Sequence, residues 1–435
     1  MTYAILTLGC RVNQADSFGF ERDLRSRGAS AGSVEQADLV VVNTCSVTAT
    51  ADQGARQAIR RIARVNPTAR IVVTGCYATR RPADLENLPG VVRIVGNDDK
   101  ERLVAAVGLE LGALTDGENA DGGCGQALGP GVQGRTVYPL KVQTGCDEPC
   151  SYCVIPSTRG RSRSRPLPEI IAEVDRAAGS GFRELMLTGV HLGSYGRDLR
   201  PAGSLAGLLR ALDRRGADVR FRLSSIEPMD CTSDVIDVIA ASGRFASHVH
   251  LPVQHASDRM LRAMRRPYTA GFFRRLIDTV HARLPDVSIG TDLLVGFPGE
   301  AECDFQWSVT LLEQSPLAYA HVFPYSDRPG TAAASMGPKV HGETVRARAD
   351  ALRGRGRALA RRFEASQVGR LRRGLTLEDG TLVLTDNYLK VRIPPGHARN
   401  EWVDVRILAA EETMTGIVDR RQSAVRSQSA VRSHQ

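Results

Sequence analysis

The apolar residues of the first hundred positions fall into short unbroken runs. Residues 3–10 (YAILTLGC), 37–45 (ADLVVVNTC) and 69–76 (ARIVVTGC) are three of them. Each is followed by a stretch with helical spacing; in residues 50–67, Ala55, Ala58, Ile59 and Ile62 mark one face. Strands buried on both faces and separated by helices predict an α/β domain with a doubly wound parallel sheet. From Tyr138 the alternation resumes. Six strands, YPLKVQ, RELMLTG, VRFRLSS, HVHLPV, VSIGTDLLVG and YAHVFPYS, alternate with amphipathic stretches such as residues 168–181 and 271–285. Six β/α units predict a partial (β/α)6 barrel of the TIM type. Residues 346–374 read as a basic helical segment. Beyond it, polar–apolar alternation with turns at Asp379-Gly380 and Pro394-Pro395-Gly396 predicts a small C-terminal β-barrel.

These patterns divide the chain into an N-terminal domain (1–115), a Gly-rich linker (116–135), a central barrel domain (136–362), a β-barrel domain (363–420) and a disordered polar tail (421–435). The 42% apolar share suffices for several cores. The start, MTYAILTLGCRVNQ, lacks the basic and cleavage regions of a secretion signal. No apolar run of about eighteen residues exists, so no membrane span is expected. Nine cysteines, odd in number and clustered, point to a reducing, cytoplasmic setting and to metal chemistry. The net charge of +9 suits a polyanionic partner.

Cys10, Cys45 and Cys76 each end one of the first three runs. Ligands of doubly wound sheets sit beyond the carboxyl ends of the strands, so the three should meet on one rim. Three thiolates without an obvious fourth partner suit an iron–sulfur cluster with one iron left open; the plainer alternative is small buried residues. Cys146, Cys150 and Cys153, spaced C-x3-C-x2-C directly after the first barrel strand, suit a second such cluster. Zinc is the competing reading and would need a fourth ligand, Cys124 or a histidine. Cys124 itself, inside the linker, reads as an incidental thiol. Tyr152, between two candidate ligands, is placed to stack on an adenine or to pack in the barrel mouth.

C-x3-C-x-aromatic-C behind a barrel strand resembles the radical S-adenosylmethionine (SAM) superfamily. TLGCRVNQADS, VVNTCSVT, VVTGCY, CSYCVIPSTRGRSRSRP, LTGVHLGSYGRD, RLSSIEP, HLPVQHASDRMLRAMRRPYT, GTDLLVGFPGE and HVFPYSDRPGT together look like the methylthiotransferases. LGCRVNQADS and VQTGCDEPCSYCVIPSTRG are most similar to those acting on N6-threonylcarbamoyladenosine at position 37 of tRNA, beside the anticodon. One departure is His255-Ala256, where much of the wider family carries Ser-Gly. The resemblance implies two 4Fe–4S clusters. Cys146, Cys150 and Cys153 would hold the one that binds SAM and yields a 5′-deoxyadenosyl radical. Cys10, Cys45 and Cys76 would hold an auxiliary one carrying the sulfur. Methylthio would then be delivered to carbon 2 of the adenine, whose C–H bond offers no acidic proton for acid–base catalysis. It also implies tRNA, a one-electron reductant of flavodoxin or ferredoxin type and a sulfur donor as partners. Gly189, Glu227 and Gly296, at barrel strand ends, are placed to contact SAM, or are ordinary turn and capping residues.

The same activity on N6-isopentenyladenosine, or on an aspartate of a ribosomal protein, would keep both clusters. A non-catalytic RNA module stapled by metal is the reading from another class. Arg159, Arg161, Arg163 and Arg165 share one face if extended, suited to RNA phosphates or simply to water. Residues 339–374 hold eleven Lys and Arg against three acids. The C-terminal pattern resembles the TRAM module, an RNA-binding β-barrel.

Overall fold

The computed structural model describes residues 1–111, 128–216 and 218–419. Residues 116–127 of the expected linker, with Cys124, and the expected tail lie outside them.

The three apolar runs form β1 (Thr2–Thr7), β3 (Leu39–Thr44) and β4 (Arg70–Gly75). Two edge strands that the sequence pattern did not single out, β2 (Ser30–Ala31) and β5 (Val91–Val95), complete a parallel sheet of order β2-β1-β3-β4-β5. Every residue of β3 is buried, as its central place requires. The helix Ala49–Val65 turns Ala55, Ile59 and Ile62 onto one sheet face, and Thr48 Oγ1 caps its start by accepting from Ala51 N at 3.1 Å. The helix α1 (Arg11–Ser26) covers the other face with Phe20 and Leu24. The sheet is therefore doubly wound.

β6 (Tyr138–Lys141), the short pair β7 (Gln143–Thr144) and β8 (Arg163–Ser164), and then β9 (Glu184–Thr188), β10 (Arg220–Leu223), β11 (His248–His250), β12 (Ser288–Val295) and β13 (Tyr319–Pro324) follow. The first half of the barrel pairs as β6-β9-β10 and the second as β11-β12-β13, all in parallel. A parallel bridge from Ser225 to His250 joins the halves. Among the described residues no ladder closes β6 onto β13, so the barrel is partial, as expected. One apolar cluster fills the space between strands and outer helices, and Phe18 of α1 enters it, edge-on to Tyr138 at 5.6 Å. The sheet domain and the barrel thus share a core.

The helix Gly342–Ser366 runs through residue 362, the expected domain boundary. The helical reading of 346–374 is corrected at its end: Gly369 N bonds to Ile407 O at 2.8 Å, and Leu371–Leu377 is a strand. That strand (β14) forms a closed barrel with β15 (Leu382–Thr385), β16 (Lys390–Arg392), β17 (Trp402–Ala410) and β18 (Met414–Val418), in the order β14-β15-β16-β18-β17.

This module plugs the lower end of the central barrel. Arg222, wholly buried, bonds Glu184 Oε1 at 2.7 Å and the carbonyls of Thr385 and Asp386 at 2.9 and 3.0 Å. Arg220 shares Glu184 and reaches Arg373 O at 3.0 Å and Leu384 O at 3.3 Å. The two guanidiniums overcome burial and hold the Glu184 carboxyl below its usual range.

Candidate functional site

Cys45 and Cys76 follow directly on the ends of β3 and β4, and Cys10 lies three residues past the end of β1, all on the rim beyond the strands' carboxyl ends. A methyl group on Gly9 would meet Cys45 Cβ at 2.6 Å, so the first and second loops touch. Burial pushes the Cys45 thiol up to about 11, and the thiols of Cys10 and Cys76 add to the shift. Asn97 Nδ2 faces Cys76 Sγ at 3.8 Å.

The second trio sits in the loop between β7 and β8. Gln143, buried, fastens that loop: its Nε2 donates to Gly145 O at 2.7 Å and Ser162 Oγ at 2.9 Å, and its Oε1 accepts from His191 N at 2.9 Å. Gly145 has φ +73°, and a Cβ there would lie 1.9 Å from Arg161 O. Each sulfur has an N–H donor or a ring nitrogen beside it. Glu148 N lies 3.4 Å from Cys146 Sγ and Ile155 N 3.4 Å from Cys153 Sγ. Arg266 Nη1 lies 3.0 Å from Cys150 Sγ, and His191 Nδ1 3.7 Å from Cys146 Sγ. Burial pushes Cys153 up to about 12 and raises Cys150 as well, against the pull of Arg266. Burial disfavours the charge of His191, yet its bonds to Asp230 and Cys146 lift it to about 10. Donors aimed at buried sulfurs suit thiolate ligands, since they offset the charge that metal binding creates. The surroundings of Cys146, Cys150 and Cys153 therefore suit a thiolate-bound cluster. Of the remaining described cysteines, Cys231 is buried beside Asp230 and Cys303 is exposed on the helix Glu302–Gln314.

One residue ties the trios together. Arg159 ends the short helix that leaves the Cys153 loop, yet its buried guanidinium reaches Cys76 and bonds Asn13 and Asp16. Asn97, beside Cys76, donates to Thr158 O of the same helix at 2.7 Å. Arg328, on the loop after β13, pairs with Asp52 at 2.7 Å and donates to Ser46 O, next to Cys45. The two cysteine rims thus line one junction.

The expected arginine face is corrected. Arg159 is helical and 3% exposed, drawn inward by Asp16, while Arg161 is 92% exposed. Arg165 is held by Glu173 at 2.7 Å, leaving Arg161 and Arg163 outside. Tyr152 packs beside Met260, Met264, Phe297 and Ala333 at the barrel mouth. Gly189 lies against Gln143 Oε1 and Leu192, so its smallness serves the loop anchor. Glu227 pairs with Arg266, beside Cys150. Gly296 N donates to Glu300 at 2.7 Å, and Gly296 abuts Val345 of the long helix. His255 is buried against Glu300 at 3.0 Å, so the departure from the family pattern is internal. Gln143, His191, Asp230 and Arg266 are site residues that the sequence patterns did not disclose.

A parallel six-stranded partial barrel with three cysteines behind its first strand defines the radical SAM class. Residues 140–312 match the radical SAM superfamily, and residues 2–96 match the uncharacterized protein family UPF0004. Threonylcarbamoyladenosine tRNA methylthiotransferase MtaB of Bacillus subtilis is 35% identical over 90% of each chain, and that of Thermotoga maritima 32% over 98% of each. tRNA-2-methylthio-N(6)-dimethylallyladenosine synthase of Frankia alni is 35% identical over 79% of this chain and 71% of its own. Among solved structures, the radical SAM methyltransferase TsrM of Kitasatospora setae shares the fold, with a TM-score of 0.54 and 16% identity over 77% of this chain and 73% of that one. The chain belongs to the radical SAM methylthiotransferase family. It is an enzyme of that class, and among the described residues no helix is long and apolar enough to cross a membrane.

Proposed function

We propose that this enzyme methylthiolates carbon 2 of N6-threonylcarbamoyladenosine at position 37 of tRNA, giving 2-methylthio-N6-threonylcarbamoyladenosine. Cys146, Cys150 and Cys153 would hold one 4Fe–4S cluster, and Cys10, Cys45 and Cys76 a second. When bound, these groups and SAM supply the radical that breaks an unreactive C–H bond and the sulfur that replaces the hydrogen. Arg159 carries the reading, because its reach to Cys76 and its bonds to Asn13 and Asp16 fix the N-terminal rim to the helix leaving the Cys153 loop. Arg266, buried, and Glu227, partly exposed, form a charged pair beside Cys150, suited to orienting the polar end of SAM. The closed C-terminal barrel and the Arg-rich helix before it provide a cationic grip for a folded RNA. A flavodoxin- or ferredoxin-like reductant and a sulfur donor complete the reaction. The substituent on the adenine is chosen as threonylcarbamoyl because relatives named for that substrate align over 90–98% of the chain.

Nucleoside mass spectrometry of tRNA from a deletion strain tests this. Loss of 2-methylthio-N6-threonylcarbamoyladenosine, restored by the intact gene, is the expected result. Loss of the methylthiolated dimethylallyl nucleoside in its place would move the enzyme to the other branch.

A further inference from the structure

The second half of the barrel lumen holds a cluster that the proposed chemistry leaves unused. On β11, β12 and β13, Val249, Ile289, Leu293 and Val322 point outward into the helix-covered core. Alternation therefore turns His248, His250, Asp292 and His321 inward. The ladders set Asp292 directly opposite His321 and His250 opposite Gly290. Gly290 has no side chain, and the Tyr319 ring occupies that space.

One donor atom each from His250, Asp292 and His321 lies within 4.8 Å of the other two. His250 Nε2 is 3.1 Å from Asp292 Oδ1, and its Nδ1 is 3.1 Å from Tyr319 Oη. The Tyr319 hydroxyl thus fixes the ring and leaves Nε2 as the nitrogen aimed at the cluster, the outer-shell arrangement seen on metal-binding histidines. A hydrogen bond from His250 to Asp292 accounts for that pair alone. It leaves His321, whose ring touches Tyr319 and Phe323 but, among the described residues, makes no hydrogen bond. His321 brings its imidazole to the exposed end of the cluster. The nearby guanidinium of Arg222 is already committed to Glu184. Two imidazoles and one carboxylate on three adjacent strands form a facial donor set for first-row divalent ions, with positions left open.

We propose that His250, Asp292 and His321 bind one divalent first-row transition cation inside the lumen, its open positions facing oxygen donors. The strands hold the three donors in place before the ion arrives.

The test uses full-length protein with its clusters reconstituted and oxidised, so that cluster thiolates are occupied and the clusters contribute little to the low-field spectrum. Co²⁺ alone is added, excess is removed by desalting, and bound metal is read by low-temperature electron paramagnetic resonance and by metal analysis. The expected result is a saturable high-spin Co²⁺ signal approaching one equivalent. Asp292→Asn, which keeps the shape, and His321→Ala, at an exposed position, should each weaken binding by about tenfold or more. Cys303→Ser should not, and the visible cluster absorbance should be the same in all four proteins. Failure of the parent protein to retain Co²⁺ overturns the proposal. So does binding that survives both lumen substitutions, or that disappears only with Cys303.

Discussion

Lys100 Nζ lies 2.8 Å from Asp16 Oδ2, with both side chains almost fully enclosed at the junction of the two cysteine rims. Lys141 takes the other carboxylate oxygen at 2.7 Å, and Arg159 adds a third cation. Asp16→Asn would strand three cations around a neutral amide, at a cost of about 3–5 kcal/mol. Thermal melts of the two proteins measure it.

The same pair predicts a pH profile. Burial favours the protonated Asp16, but Lys100, Lys141 and Arg159 override it and hold the carboxyl far below its usual range. A depressed folded value makes the stabilisation complete above the unfolded carboxylate pKa of about 3.9 and removes it as pH falls through the folded value. The stability gap between the parent and Asp16→Asn should stay level from about pH 8 to about pH 5 and narrow in stronger acid. A gap that widens on acidification contradicts the pairing.

Gly145→Ala tests the loop. Gly145 and Gly134 share a left-handed backbone, with φ +73° and +71°, but only Gly145 faces a carbonyl at 1.9 Å from where a Cβ would lie. Gly134→Ala should cost about 1–2 kcal/mol of local strain and retain full iron. Gly145→Ala must displace the loop itself, and iron per chain should drop by about half.

Cys150→Ala and Cys76→Ala should separate the two rims. The first is expected to abolish release of 5′-deoxyadenosine from SAM. The second should preserve that release, measured with dithionite as reductant, while product formation falls to background. Full product from the Cys76 variant would remove the N-terminal rim from the reaction.

Glu184→Gln leaves Arg220 and Arg222 buried without a counter-charge, a loss of about 3–5 kcal/mol. The damage should centre on the joint with the C-terminal barrel. Limited proteolysis should cut near residues 367–370, between the long helix and β14, faster in the variant than in the parent.

The sequence disclosed these features unevenly. Continuous apolar runs announced β1, β3 and β4, and the alternation of strand-like with amphipathic stretches announced the six barrel strands. Strand-end logic brought Cys10, Cys45 and Cys76 to one rim before any coordinates. The short edge strands β2 and β5 gave no such signal. Periodicity failed at Arg159, where regular spacing of arginines suggested one wet face; a buried carboxylate 143 positions away decided otherwise. His191 with Asp230, and Arg266 with Cys150, meet across 39 and 116 positions, and no local spacing encodes such meetings.

The buried arginines beneath the central strands bond the C-terminal module through its backbone. Arg220 and Arg222 reach the carbonyl oxygens of Arg373, Leu384, Thr385 and Asp386, which every amino acid supplies. Substitutions on the outer surface of the C-terminal module can therefore accumulate without loosening the seal. Deleting the module is another matter: it would open the reaction chamber to water from below.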